Sequence, residues 1–397
     1  MAKIITDKDQ IREFLESRYV EAVFPSKEKA AEILASGRRL VFYLGIDPTG
    51  PDIHLGHTVP LLLLKQIAEL GHRIILLIGD FTARIGDPTD KDAARVALTE
   101  EEIERNMKTY VEQVKKVLGD IDFEVKYNSK WLSKMSFEDV IKLASRVTVQ
   151  QMLARDMFQE RLEKEKPIYV HEFLYPLMQG YDSVAMQVDG EVGGNDQTFN
   201  MLVGRDLEKE YLKKDKLVFT TRLLVDAGTG KKISKTEGGF VAVNDSPKDI
   251  FGKIMKSIPD KMIKTAFELT TGASLSWIEE RQNKVDAGEN PRNFKEELAF
   301  ELVRMYHGEK EAEKAREEFR KVFSEGQLPE EIEEIPNGQT ILQTMVVAGF
   351  VPSRSEAKRL IEQKAVSVND KVVESWDYET KKGDIIKVGP RKFRRVK

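Results

Sequence analysis

Two short stretches carry residue types suited to phosphate chemistry. The first is Asp47-Pro48-Thr49-Gly50-Pro51-Asp52-Ile53-His54-Leu55-Gly56-His57, with two of the chain's 5 histidines three positions apart around a glycine. A helix leaving such a loop offers unpaired N–H groups and a partial positive charge to an anion. Gly56 removes a side chain, so a nucleotide can approach the backbone. A metal pair or a chance surface pair is the alternative, but the usual third ligand spacing is missing. The second stretch is Lys232-Ile233-Ser234-Lys235-Thr236, flanked by glycines at 228, 230, 238 and 239. Its ammonium groups suit charge that grows as a phosphate bond breaks, on a loop able to close. Taken alone it also reads as a basic surface loop. Together the two look like a device for holding the phosphates of ATP while an acid attacks the α-phosphate. No GxxxxGK[ST] loop is present, which excludes that kind of nucleotide fold.

The elements that must position these loops are legible in outline. Residues 38–44 read as a buried strand, with Val41, Phe42 and Tyr43 strong strand formers. Residues 58–70 read as a helix closed by Gly71, with Pro60 in its first turn. Residues 73–79 are apolar almost throughout and predict a strand buried on both faces. Strand, loop, helix, strand predicts an α/β fold built on a doubly wound parallel (Rossmann-like) sheet. Thr99 with Glu102 marks a helix start running to about 118, and Ser136 with Asp139 marks another. Residues 217–225 read as strand-like and lead into the lysine loop.

The predicted domains are a catalytic unit over 1–245 with a helical insertion at about 120–170, and a helical domain over 246–325. An acidic, proline-bounded linker over 326–338 and a small α+β unit over 339–397 complete the chain. At 397 residues, 41% apolar and 33% charged, the chain has the make-up of an ordinary soluble protein with a sizeable core. With 0 cysteines it has no disulfide, thiol nucleophile or cysteine-bound zinc. No apolar run is long enough to span a bilayer, and residues 1–7 lack a signal-peptide core; the expected location is cytoplasmic. The net charge of -4 is unevenly spread: residues 351–397 hold 13 Lys and Arg against 7 Asp and Glu. A basic terminal unit on an acidic body points to a polyanionic partner, with a solvated lysine-rich tail as the alternative.

The chain closely resembles the bacterial tyrosyl-tRNA synthetases, a family of class I aminoacyl-tRNA synthetases. His54-Leu55-Gly56-His57 and Lys232-Ile233-Ser234-Lys235-Thr236 match the signatures of class I generally. Four further segments point to tyrosine: Tyr43-Leu44-Gly45-Ile46-Asp47-Pro48-Thr49, Ile85-Gly86-Asp87-Pro88, Tyr175-Pro176-Leu177-Met178-Gln179-Gly180-Tyr181-Asp182 and Gly193-Gly194-Asn195-Asp196-Gln197. The resemblance implies tyrosine–tRNA ligase activity, with tyrosine, ATP and tRNA(Tyr) as substrates and Mg2+ arriving with the ATP.

It also implies roles. Tyr43 and Asp182 would bond the substrate's phenolic hydroxyl, and Gly45 would line that pocket. Asp87, Tyr175 and Gln179 would hold its ammonium, with Gln197 beside its carboxylate. Asp47, Gly194 and Asp196 would line the amino-acid and ribose region. Thr49 and His54 would meet the γ-phosphate end, with Gly56 and His57 by the nucleoside. Lys91, Arg95, Lys232, Lys235 and Thr236 match cations and a hydroxyl of the family's mobile loops. Leu44 and Pro60 depart from small or hydroxyl residues in some relatives, and Thr89-Asp90-Lys91 departs from a more usual Ser-Gly-Lys. The terminal unit resembles an S4 RNA-binding domain, with Arg354, Lys358 and Arg359 on its helix. The preceding helices resemble an anticodon-binding domain, and the insertion resembles a dimerisation region, which implies a homodimer. Tryptophanyl-tRNA synthetases share both signatures; the Tyr43/Asp182 pair and the S4-like unit argue against them. A non-catalytic RNA-binding protein on the same scaffold is the rival from another class.

Overall fold

The structure, a computed structural model, describes residues 3–87, 98–225, 240–323, 334–369, 371–389 and 392–397. It divides into two compact units, Met1–Ser246 with Lys253–His307, and Pro247–Gly252 with Gly308–Lys397. The first unit holds a six-stranded sheet: β1 (Val20–Phe24), β2 (Val41–Ile46), β3 (Arg73–Ile78), β4 (Glu124–Tyr127), β5 (Gly190–Gly194) and β6 (Leu217–Thr221). The spatial order is β1-β6-β5-β2-β3-β4, all parallel except β1, which pairs antiparallel with β6. From β2 the chain winds outward through β3 to β4; from β5 it winds the other way. The strand order therefore reverses between β2 and β5, and loops leaving their C-terminal ends diverge to open a crevice.

Why these segments form strands is plain for β3: Ile74, Ile75, Leu76, Leu77 and Ile78 are all buried, so both faces are covered. Helix α1 (Leu55–Glu69) follows β2 and buries Leu61, Leu62, Leu63 and Leu64, a run that covers more than one face. The helix Ile263–Thr270 packs against it. Truncating any of these leucines to alanine costs about 2–5 kcal/mol, because the cavity left cannot close.

Helix α1 begins at Leu55, not at 58 as its sequence predicts. His54 caps it, its Nδ1 accepting from the Gly56 N–H at 3.1 Å. Pro60 consequently lies inside the helix, where its missing N–H leaves the Gly56 carbonyl without its usual helical donor. The helix read over 99–118 is two, Glu100–Met107 and α2 (Tyr110–Leu118), broken at Thr109. β4 completes the sheet edge, so the helical excursion starts at Ser129. That excursion ends on a buried ion pair between Arg161 and Glu172, whose Oε1 also accepts the Tyr169 N–H at 2.9 Å. The pair fixes the turn leading into α3 (Leu174–Met186), and removing one partner costs about 3–5 kcal/mol. Helix α4 (Thr198–Leu212) packs along α3.

The second unit carries a sheet of β7 (Glu334–Ile335), β8 (Val366–Val368), β9 (Lys371–Val372), β10 (Ile385–Val388) and β11 (Lys392–Val396), in the order β7-β11-β10-β8-β9. Helices α5 (Ile341–Val347) and α6 (Arg354–Glu362) close its core through Ile341, Met345, Ala357 and Ile361. Arg354, Lys358 and Arg359 are exposed on α6, and Lys358 Nζ lies 4.3 Å from the centre of the Trp376 ring. Among the described residues, no helix is long and apolar enough to cross a membrane.

Candidate active site

A cavity of about 260 Å³ opens where β2 and β5 part. Its walls include Tyr43, Gly45, Asp47, Thr49, His54, Gly56, His57, Asp87, Tyr175, Gln179, Asp182, Gly194, Asp196 and Gln197. The sequence-predicted residues that the structure describes thus converge on one site. Lys91, Arg95, Lys232, Lys235 and Thr236 lie outside the described residues.

The histidine loop is held from behind. Asn106 Nδ2 donates to the Pro48 carbonyl at 3.0 Å, and the Tyr110 hydroxyl to the Gly50 carbonyl at 2.6 Å. Gln113 accepts from the Ile53 N–H at 2.7 Å and donates to the Pro51 carbonyl at 2.9 Å. From the front, the Leu55 N–H bonds the Val241 carbonyl at 3.1 Å and the Val243 N–H bonds the Ile53 carbonyl at 2.8 Å. The His54 and His57 rings stack with centres 3.8 Å apart. His57 Nδ1 faces the His54 N–H at 3.4 Å, and His54 Nδ1 the Gly56 N–H. Both Nδ1 atoms are therefore acceptors, and each neutral ring carries its proton on Nε2, a donor suited to phosphate or ribose oxygens.

The deep wall is a continuous polar chain. The Tyr175 hydroxyl donates to Asp47 Oδ2 at 2.9 Å, and the Thr82 hydroxyl to Asp47 Oδ1 at 2.7 Å. Asn128 Nδ2 reaches Thr82 Oγ1 at 3.0 Å and Asp182 Oδ2 at 3.2 Å; Trp131 Nε1 donates to Asp182 Oδ1 at 2.7 Å. Burial holds the Asp182 carboxyl well above the usual carboxylate range, against the pull of the Trp131 and Asn128 bonds. An N–H on each oxygen favours the ionised, acceptor form over the protonated one. Burial likewise keeps the Tyr43 and Tyr175 phenols well above their ordinary range, so both stay neutral. On the opposite wall Gln197 Nε2 donates to Asp87 Oδ2 at 2.6 Å. Asn200 Nδ2 bridges Gln197 Oε1 and Gln179 Oε1, each at 3.0 Å. Gln179 Nε2 contacts Glu191 Oε1 at 3.3 Å.

Sequence reasoning missed Thr82, Asn128, Trp131, Ser183, Glu191, Asn200 and Lys216. None belongs to a short motif, and each gains its place only when separate strands meet. Asp80, unassigned from sequence, accepts from the Ser129 N–H at 2.9 Å and the Ser129 hydroxyl at 2.6 Å. It fixes the start of the short helix Ser129–Leu132, which carries Trp131.

Chemically, the cavity joins a closed end lined by a phenol and a basic carboxylate to an end built on a helix N-terminus with two imidazole donors. The sequence profile of the tRNA synthetases class I (W and Y) matches residues 35–324, and that of the S4 domain matches residues 342–386. The chain is 44% identical over 388 residues to the tyrosine–tRNA ligase of Moorella thermoacetica, covering 96% of this chain and 94% of that one. It is 44% identical over 405 residues to the tyrosine–tRNA ligase of Carboxydothermus hydrogenoformans, covering 98% of each. Among solved structures, a C-terminally truncated mitochondrial tyrosyl-tRNA synthetase of Coccidioides posadasii superposes with a TM-score of 0.63 at 25% identity, covering 78% of this chain and 94% of that one. The chain belongs to the class I tRNA synthetases (W and Y), in the bacterial tyrosyl-tRNA synthetase family with a C-terminal S4 domain.

Proposed function

We propose that this chain is a tyrosine–tRNA ligase that activates tyrosine with ATP and passes the tyrosyl group to the 3′ end of tRNA(Tyr). The observation that carries the reading is the shared cavity, with Tyr43 and Asp182 at one end and the His54/His57 pair on a helix N-terminus at the other. A phenolic hydroxyl both donates and accepts, and it meets two polar groups at the closed end. Asp87, Tyr175 and Gln179 hold the ammonium. Gln197 sits by the carboxylate, and Gly45 leaves room for the ring. Asp47, Gly194 and Asp196 face the ribose, and Thr49 with His54 the distal phosphates. Gly56 and His57 meet the nucleoside side.

In the first step a tyrosine carboxylate oxygen bonds the α-phosphorus of ATP, and the α–β bridge oxygen leaves with pyrophosphate. In the second a ribose hydroxyl of the terminal adenosine attacks the tyrosyl carbonyl, and AMP departs. No side chain becomes covalently attached; the site works by holding the reactants in line and meeting developing charge with fixed donors. Lys91, Arg95, Lys232, Lys235 and Thr236 belong to this charge-meeting set on family resemblance. Mg2+ enters as the counter-ion of ATP.

The exposed apolar side chains Phe137, Ile141, Val149 and Val170 all lie in the 129–173 excursion and support a symmetric homodimer formed there. The exposed cations of α6 support RNA phosphate contact. A cytoplasmic location follows from the activity. The test is pyrophosphate exchange into ATP. Exchange must appear with tyrosine and be absent without it; exchange driven by tryptophan instead overturns the substrate.

A further inference from the structure

Beneath the closed end of the cavity lies a charged side chain that the reaction does not touch. Lys216, immediately before β6, is completely buried. Its ammonium donates to Ser183 Oγ at 2.5 Å and to Glu191 Oε2, and it sits 5.6 Å from the centre of the Tyr43 ring. Gly204 of α4 makes the space: a Cβ there would fall 2.6 Å from Lys216 Nζ. Burying a lysine is costly, and pairing alone repays it only in part.

We propose that Lys216, acting through Ser183, fixes the direction of the hydrogen bonds that read the substrate hydroxyl, making Tyr43 the donor and Asp182 the acceptor. The inference rests on the reading that this cavity takes tyrosine. An ammonium has donors only, so Ser183 Oγ must accept from it. Glu191 also lies beside the Tyr43 hydroxyl, and there Lys216 at Oε2 and Gln179 at Oε1 compete with the Tyr43 and Ser183 protons for its carboxylate. The Ser183 proton is therefore given to the Tyr43 oxygen, 2.9 Å away. With Glu191 held by Lys216, the Tyr43 proton, which also lies within reach of that carboxylate, turns to an acceptor in the cavity. Across it, both Asp182 oxygens receive N–H donors, so that side chain acts as an acceptor. A phenol, which accepts one bond and donates one, completes both ends. An aromatic amine donates two and accepts poorly, and a bare ring does neither.

Without Lys216, Glu191 keeps the Gln179 N–H but loses the ammonium that opposes its charge beside Ser183 and Tyr43. Their protons turn toward it, and Tyr43 presents a lone pair to the cavity instead. Lys216 and Ser183 are thus positioning residues, and the consequence is a change in preference between substrates, not a uniform loss.

The experiment compares kcat/KM in pyrophosphate exchange for tyrosine, 4-aminophenylalanine and phenylalanine, in the wild type, Lys216→Met and Ser183→Ala. In Lys216→Met the preference for tyrosine over 4-aminophenylalanine falls about tenfold, the worth of one well-made hydrogen bond, while the phenylalanine value is unchanged. Ser183→Ala, which keeps the ion pair, shifts the same ratio in the same direction by a smaller factor. Thermal melts show whether Lys216→Met folds; if it does not, Ser183→Ala decides. Equal losses for all three substrates, or an unchanged ratio, overturn the proposal. A wild type that exchanges nothing with tyrosine overturns the parent reading, so the two failures are distinct.

Discussion

The Tyr175 hydroxyl donates to Asp47 Oδ2 at 2.9 Å, and that bond ties helix α3 to the end of β2 across the cavity. Asp47 thereby serves both halves of the site, since the same carboxylate is anchored by Thr82. In Tyr175→Phe it loses that fixed donor. The expected result is a rise in KM for tyrosine of about tenfold or more, the range for a hydrogen bond to a charged group. A smaller rise follows for ATP. Steady-state exchange kinetics with each substrate varied in turn measure both; an ATP KM that rises more than that for tyrosine contradicts the shared role.

Asp182 receives Trp131 and Asn128 and has capacity left for a substrate O–H. Asp182→Asn keeps the shape but sets an N–H against at least one fixed donor. The kcat/KM for tyrosine falls by about ten- to a hundredfold, from a lost charged hydrogen bond and a misplaced donor. The value for phenylalanine, which has no hydroxyl to lose, stays level. Competition between the two amino acids in exchange reads the difference directly.

His54 caps α1 and lines the cavity, and in the proposed function its Nε2 meets phosphate. His54→Ala removes the cap, at about 1 kcal/mol of stability. It also removes a donor aimed at growing phosphate charge, which lowers kcat by about a hundredfold. The tyrosine Kd, from equilibrium dialysis without ATP, remains at the wild-type value. A weakened Kd with an intact kcat would place His54 in the amino-acid pocket.

Two buried groups give the fold opposite pH dependences. Burial raises the Glu208 carboxyl from an ordinary 4.5 to about 7, with Lys216 and Lys214 opposing. The folded chain holds that proton more tightly than the unfolded one. Its contribution is complete below pH 4.5 and is lost as pH rises through about 7. Burial lowers His72 from 6.5 to about 4, with Arg39 adding to the shift, so its contribution is complete above pH 6.5 and is lost as pH falls through about 4. Thermal melts from pH 4 to 8 test this. Glu208→Gln abolishes the alkaline loss, on the order of 3 kcal/mol for such a shift, and leaves the acid limb in place. An unchanged alkaline limb contradicts the assignment.

The excursion helix Phe137–Ala144 exposes Phe137 and Ile141, one turn apart. Charging both, as Phe137→Glu with Ile141→Lys, is expected to halve the mass seen by sedimentation equilibrium while the melting temperature at dilute concentration changes little. A wild type that already sediments as a monomer contradicts the dimer.

Much of the site was readable because its residues sit in compact motifs whose chemistry is local. His54-Leu55-Gly56-His57 announces a helix N-terminus, and the structure adds only that the helix starts at Leu55. β3 was legible because five apolar residues in a row admit little else. β5 was not. Gly-Glu-Val-Gly-Gly has weak strand propensity, and the segment is a strand because β2 and β6 flank it. Gly190 is needed there, since a Cβ would meet the Phe42 ring at 2.2 Å. The edge strand β1 also went unread, its pairing with β6 bringing together residues about two hundred positions apart. The same distance problem hid Ser183, Glu191 and Lys216: a lysine and a glutamate 25 positions apart carry no signature until the sheet stacks them.

The central claim is that a phenol and a triphosphate react side by side in one cavity. Incubating the protein with labelled tyrosine and with ATP carrying a second label at the α-phosphate, without tRNA, and then separating protein from small molecules tests it most directly. The account predicts that both labels stay with the protein in equal amounts, as a bound tyrosyl-adenylate, and that on adding tRNA(Tyr) the tyrosine label passes to the tRNA while the phosphate label leaves as AMP. Retention of the nucleotide label alone, or of neither, contradicts it.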